Sequence, residues 1–220
     1  MNPALETPLS PLEQRVLGAL IEKDMATPDY YPLSVNALMN ACNQKTSREP
    51  ISDYDEDTVR EGLGQLEERG LAEARFDSRV PKYGHRASFG LNLNNRELAL
   101  ICVLMLRGPQ TLNELKDRCQ RMYAFDDLDA VENSLRKLSE REHPLTVFLG
   151  KLSGQREPRW MHLLGGAYDA SSFAAAASAP VETARANPKV EELEIRVNQL
   201  EAELHELRSQ FAAFRKQFEN

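Results

Sequence analysis

The densest run of cations in this chain is Arg75-Phe76-Asp77-Ser78-Arg79-Val80-Pro81-Lys82-Tyr83-Gly84-His85-Arg86. Arg75, Arg79, Lys82 and Arg86 share that stretch with a single acid, Asp77, while Tyr83 and His85 stand among them and Pro81 stiffens the backbone. Guanidinium and ammonium groups donate to phosphate oxygens, so this composition suits contact with a nucleic-acid backbone or minor groove. An acidic protein surface would meet the same charges equally well. A merely solvated hairpin tip is the plain alternative. Lys151, Arg156 and Arg159 form a sparser second group, and Arg136 and Lys137 lie beside Asn133 between the two.

No catalytic constellation accompanies these cations. His85, His143, His162 and His205 are scattered, without metal-ligand spacing among themselves or with the three cysteines. No glycine-rich phosphate loop is present. Asp53, Asp55, Glu56 and Asp57 lack the spaced ligands of a calcium loop and suit the positive end of a helix dipole instead. Gly62 and Gly64 fall inside a helical stripe, where they would allow close packing or bending. No cofactor is expected, and a non-enzymatic protein is the reading these residues support.

Composition narrows the class further. The net charge is −7 over 220 residues, with 41% hydrophobic and 28% charged side chains. An acidic total argues against a chain that simply coats nucleic acid. The charge is uneven, however: residues 93–167 hold 11 Lys and Arg against 10 Asp and Glu, whereas residues 1–92 hold 10 against 15. No apolar run approaches the ~20 residues that span a bilayer, and Met1 to Pro11 do not read as a secretory signal. An odd number of cysteines without a close pair does not suggest a disulfide framework. A reduced, cytoplasmic protein is expected.

The elements that must position the cations occur twice. Pro32-Leu33-Ser34-Val35-Asn36-Ala37-Leu38 with Cys42 is answered by Pro109-Gln110-Thr111-Leu112-Asn113-Glu114-Leu115 with Cys119, at one constant offset. Val59, Leu63, Leu66 and Arg69 are answered by Val131, Leu135, Leu138 and Arg141 at another. Conserved order with differing offsets is what duplication followed by loop-length drift leaves behind.

Within the first copy, Ser10, Pro11 and Glu13 predict a capped helix start, with Leu12, Val16, Leu17, Leu20 and Ile21 on one apolar face. A second helix is predicted from Ser34, a polar loop over Asn43–Tyr54, and a third helix from about Asp55 to Arg69, stopped by Gly70. Strands Leu71–Phe76 and Gly84–Leu93 then form a hairpin. In the second copy, Asn94–Glu97 opens an apolar helix that Gly108-Pro109 stops. Thr111 and Glu114 make a capping box, and a third helix runs from about Asp127 to Glu140. A hairpin of Leu145–Leu152 and Arg159–Leu164 carries Trp160 into the core. Helix, helix, helix, hairpin, repeated, predicts two tandem winged-helix domains, 1–92 and 93–167: a mainly α chain with small β-hairpins, of α+β class. In such a domain the third helix ordinarily enters the major groove. The first copy's third helix exposes Glu56, Glu61, Glu67 and Glu68, which repel phosphate, so the hairpins are the better contact.

An Ala, Ser and Pro-rich segment, 168–187, reads as a linker. Beyond it Val190, Leu193, Val197, Leu200, Leu204, Leu207, Phe211 and Phe214 alternate steps of three and four, an a/d seam within a helix over 188–220. In a parallel pair Lys189 meets Glu194, Arg196 meets Glu201 and Glu203 meets Arg208 of the second copy, all attractive. A homodimer through this helix is expected; packing of the helix back on the body is the alternative.

The stretches Leu12-Glu13, Arg15-Val16-Leu17, Leu20-Ile21-Glu22-Lys23, Tyr30-Tyr31-Pro32-Leu33-Ser34 and Cys42-Asn43-Gln44-Lys45, with Ser47-Arg48, resemble the uncharacterised bacterial YceH-like family. Ser78-Arg79-Val80-Pro81-Lys82-Tyr83-Gly84-His85-Arg86 is similar to that family's most distinctive motif. The resemblance covers about Ser10 to Tyr168 and implies a tandem winged-helix fold without an established activity; it carries over no catalytic or binding residue. Together these observations lead to a nucleic-acid-binding protein, DNA being the expected partner, in a regulatory or architectural role. A protein-interaction adaptor is the competing expectation.

Overall fold

Local chemistry sets the first element in the computed structural model, which describes residues 7–76, 79–151 and 157–167. Helix α1 (Pro11–Ala26) starts where the Ser10 hydroxyl accepts from the Glu13 amide while the Glu13 carboxylate accepts from the Ser10 amide, the expected capping box. Helix α2 (Val35–Cys42) is capped by Ser34 and α3 (Glu56–Glu68) by Asp55. Gly70, at φ +67°, ends α3 in the left-handed conformation that glycine adopts without strain. Strands β1 (Ala72–Arg75) and β2 (Lys82–His85) pair antiparallel, and a one-turn helix, α4 (Ala87–Gly90), follows.

The second copy supplies α5 (Asn95–Arg107), α6 (Leu112–Cys119), α7 (Leu128–Ser139) and the antiparallel pair β3 (Thr146–Gly150) and β4 (Arg159–His162). Capping boxes form at Asn94 with Glu97 and at Thr111 with Glu114. The fold is mainly helical with two small hairpins, an α+β chain.

Two expectations need correction. The second strand of the first hairpin does not run to Leu93. His85 ends it, because the Arg86 carbonyl accepts from the Phe89 and Gly90 amides, which starts α4, and the Ala87 amide donates to the His85 ring. Buried Ala87 and Leu91 then stand four residues apart, a helical spacing that partial alternation disguises. Helix α1 also has more than one buried face: Glu13 and Arg15 are buried together with Val16 through Ile21.

The repeated motifs make matching hydrogen bonds. Arg69 donates to Thr7 O, Pro8 O and the Glu13 carboxylate; Arg141 donates to Leu91 O, Asn92 O and the Glu97 carboxylate. Each partner in the second set stands at the repeat position of its counterpart. Leu33 exchanges two backbone bonds with Tyr83, and Gln110 exchanges two with Trp160, so each hairpin gains a one-residue third strand.

The copies meet through equivalent helices. Counted from the two capping boxes, Gly18 of α1 and Cys102 of α5 are the same position, and the Cys102 thiol donates to Gly18 O at 3.3 Å. A position touching its own counterpart is the mark of a self-complementary, two-fold-like interface. Gly18 has no room for a side chain: a Cβ would lie 2.9 Å from Leu106 Cδ2. One apolar cluster accordingly takes Leu17, Leu20 and Ile21 from the first copy and Ile101, Cys102, Leu138 and Leu164 from the second. A second cluster, with Leu100, Leu115, Val131 and Trp160, has its buried members in the second copy, and Met25 of α1 packs against it. All three cysteines are buried and free. Among the described residues no helix is long and apolar enough to cross a membrane.

Candidate nucleic-acid interface

The first hairpin is a short ladder whose register opposes Ala72 to His85, Glu73 to Gly84, Ala74 to Tyr83 and Arg75 to Lys82. Side chains of directly opposed residues share a face, so the last rung toward the tip sets two cations side by side, an arrangement that weakens an isolated sheet. Glu73, two residues before Arg75, lies on that face: Arg75 Nη2 is 2.8 Å and Arg86 Nε 3.7 Å from its carboxylate. Arg79 is exposed near the tip and Lys82 half-exposed, neither with an ion-pair partner among the described residues.

Tyr83 turns its ring toward the core, while His85 points inward. Its Nε2 lies 3.0 Å from the Asp24 carboxylate and its Nδ1 accepts from the Ala87 amide. His85 therefore anchors β2 to α1 and is not part of the exposed patch. Tyr31 helps to hold it, since the Tyr31 hydroxyl accepts from the His85 amide and burial pushes that phenol well above its usual range.

Sequence reasoning missed the apolar companions of these cations. Phe76 is 76% exposed, Val80 56% and Phe89, on α4, 83%. The Arg86 guanidinium sits 5.8 Å from the Phe89 ring centroid, a cation–π contact. The signal for Phe76 and Val80 lay in their position between charged neighbours at a turn; Phe89 was concealed by its assignment to a strand.

The other predicted cations are placed differently. Arg159 folds inward from β4, donating to Pro109 O at 2.8 Å and to the Glu114 carboxylate at 2.7 Å. That pairing, with the Thr111 amide, holds the Glu114 carboxyl below its ordinary range against the opposing effect of burial. Arg159 braces the start of α6 and leaves the second group of cations. Arg136 pairs with Glu132 one turn away on exposed α7, and Lys137 lies near Arg96 and Tyr123. Lys151 is exposed at the end of β3. Arg156 and the proposed dimer seam from Val190 to Phe214 lie outside the described residues.

The exposed face of α3 is acidic, and its one arginine, Arg60, is engaged by Glu56. Asp55 acts as the cap: its carboxylate accepts from the Thr58 amide at 2.8 Å, and that bonding holds it below its usual range. Among the described residues no group of three His, Cys, Asp or Glu is arranged to hold a metal ion.

Residues 9–155 match the family described as "Protein of unknown function, DUF480". The chain belongs to this family. A UPF0502 protein of Cellvibrio japonicus is 48% identical over 171 residues, 78% of each chain. One from Solibacter usitatus is 49% identical over 173 residues, 77% of this chain and 82% of the relative. A third, from Xanthomonas campestris, is 45% identical over 197 residues, 89% and 88% of the two chains. These relatives are proteins of an uncharacterised bacterial family, in agreement with the YceH-like resemblance, and their names state no activity. The matched span includes the whole first copy from Leu9, its hairpin and α5 through β3.

Proposed function

We propose that the protein is a non-enzymatic, tandem winged-helix nucleic-acid-binding protein whose first hairpin makes the main contact, in a regulatory or architectural role. The observation that carries this reading is the tip rung of that hairpin, where Arg75 faces Lys82, with exposed Arg79 beyond it and exposed Phe76 and Val80 alongside. Glu73 already answers Arg75 on that face, so Lys82 and exposed Arg79 are the cations left to meet a polyanion. Exposed apolar groups among cations suit insertion beside or between bases once phosphate has been engaged. Helix order supports the winged-helix reading, as does the one-residue third strand at Leu33 and at Gln110. The acidic face of α3 disfavours major-groove entry, so contact runs through backbone and minor groove.

A mobility-shift titration with duplex DNA at two salt concentrations tests this reading, using the wild type and Arg79→Glu/Lys82→Glu/Arg86→Glu. Binding that weakens steeply with salt and disappears in the triple variant is expected. Lack of any shift at low salt would overturn the reading and favour an acidic protein as the partner. Pairing through residues 188–220 belongs to the same proposal. Sedimentation of a chain ending near Ala184 should then give a monomer, and an unchanged dimer would remove that part.

A further inference from the structure

A concavity among the described residues lies away from both hairpins, at the seam between the copies. It encloses about 550 Å³, within the range of ligand sites. Five cations line it: Lys23 of α1, Lys45 of the loop after α2, Arg107 at the end of α5, Arg118 in the last turn of α6 and Arg121 in the turn that follows. Two acids, Glu22 and Asp117, also line it. Glu22 is already engaged, since Arg48 donates to it through two nitrogens at 2.6 and 3.1 Å and Lys23 lies 3.3 Å away. Arg118 has only a long contact, 3.8 Å, to a Glu114 that Arg159 already holds. Lys45, Arg107 and Arg121 have no ion-pair partner among the described residues. On a chain of net charge −7, this concentration of positive charge inside a concave wall creates a strong local field for anions.

The wall is also built to stay put. The connection from Cys42 to Asp55 is longer than its counterpart from Cys119 to Asp127, and the extra length carries Gln44, Lys45, Thr46 and Ser47 into the cleft. Two buried arginines pin that connection. Arg15 donates to Cys42 O, Pro50 O and Ser52 Oγ, and Arg48 donates to Ala41 O and Ser47 O. Ser47 itself takes φ +64°, a conformation costly for a residue with a side chain, and Arg107 donates to its hydroxyl. Burial lowers the Arg107 guanidinium below its usual range, and neighbouring Arg118 and Arg48 add to that. Half-buried Ala26 and Met122 give the cleft an apolar side, with buried Val103 and Leu106 beneath them. Cations carried on a pinned backbone beside an apolar surface match an anion with an uncharged flat or greasy portion, and several converging charges match phosphate groups in series.

We propose that this cleft binds a nucleoside polyphosphate, with its phosphates held by Lys45, Arg107 and Arg121 and its base against Ala26 and Met122. Because α1, α5 and α6 each contribute to the wall, such a ligand bridges the two copies. The site is separate from the hairpin and stands whether or not the hairpin binds nucleic acid.

Titration calorimetry of the full chain with ATP, GTP and inorganic tripolyphosphate tests the inference. Saturable binding of at least one nucleotide, with tripolyphosphate at least tenfold weaker, is the expected result. Lys45→Ala/Arg121→Ala should weaken nucleotide binding at least tenfold while leaving the ligand-free melting curve unchanged, since both side chains are exposed. Arg79→Glu/Lys82→Glu/Arg86→Glu should bind nucleotide as the wild type does, which separates this site from the hairpin. Absence of saturable binding for both nucleotides would overturn the inference, as would full binding by the Lys45/Arg121 variant. Tripolyphosphate binding as tightly as ATP would overturn the assignment of a base.

Discussion

His85 and His162 occupy the same place in the two hairpins yet meet opposite surroundings. His85 has the Asp24 carboxylate and the Ala87 amide as partners. His162 is buried with neither ring nitrogen hydrogen-bonded among the described residues, and burial lowers it to about 4 from an ordinary 6.5. The unfolded chain therefore takes up a proton near pH 6.5 that the folded chain refuses until about pH 4. Stability should fall as pH drops across that window, by roughly 3 kcal/mol from this group alone, with the whole loss present below it. Urea unfolding at pH 7 and pH 4 should show His162→Leu losing less stability on acidification than the wild type by about that amount; equal losses would discard the assignment. At this scale the sequence was legible as chemistry but not as direction. His85 and Arg159 read as outward cations because composition cannot say which way a strand residue faces, and a one-residue change of register inverts the answer.

At the scale of single elements, α3 contains two glycines that the sequence treats alike and the structure separates. A Cβ on Gly62 would lie 3.0 Å from Leu12 Cγ and 3.1 Å from Val16 Cγ2, so this glycine lets α3 press against α1. A Cβ on Gly64 would meet nothing within 4 Å. Gly64→Ala should stabilise by about 0.5–1 kcal/mol, because alanine loses less backbone freedom in a helix. Gly62→Ala should destabilise by roughly 1 kcal/mol or more, as overpacking outweighs that gain. Denaturant midpoints of the two variants check the pair, and shifts in the same direction would contradict the packing account. Helix starts were legible at nearly every turn, with Ser10, Ser34, Asp55, Asn94, Thr111 and Asp127 each capping as their residue type suggests. The α4 turn was not, because Ala87 and Leu91 are too short a pattern to separate four-residue spacing from alternation.

Across the whole described body, the contact of Gly18 with Cys102 makes two copies share one core. Gly18→Leu would drive a side chain into Leu106 and Met105 and should cost about 3 kcal/mol. Since the shared cluster ties the copies together, Trp160 fluorescence, which reports the second copy, and far-UV circular dichroism, which reports all helices, should give coincident unfolding transitions in the wild type. A separate, earlier fluorescence transition would mean that the copies unfold independently.

Sequence alone determined the order of elements, most of their ends and the repetition of motifs, because capping, apolar spacing and repeated residues act over a few positions of chain. Tertiary structure alone decided which cations meet water, that α1 is buried on more than one face and that a basic cleft opens at the seam. Those outcomes depend on groups distant in the chain, such as Arg69 with Glu13 or Arg107 with Ser47, and only the packing of two copies brings them within bonding range.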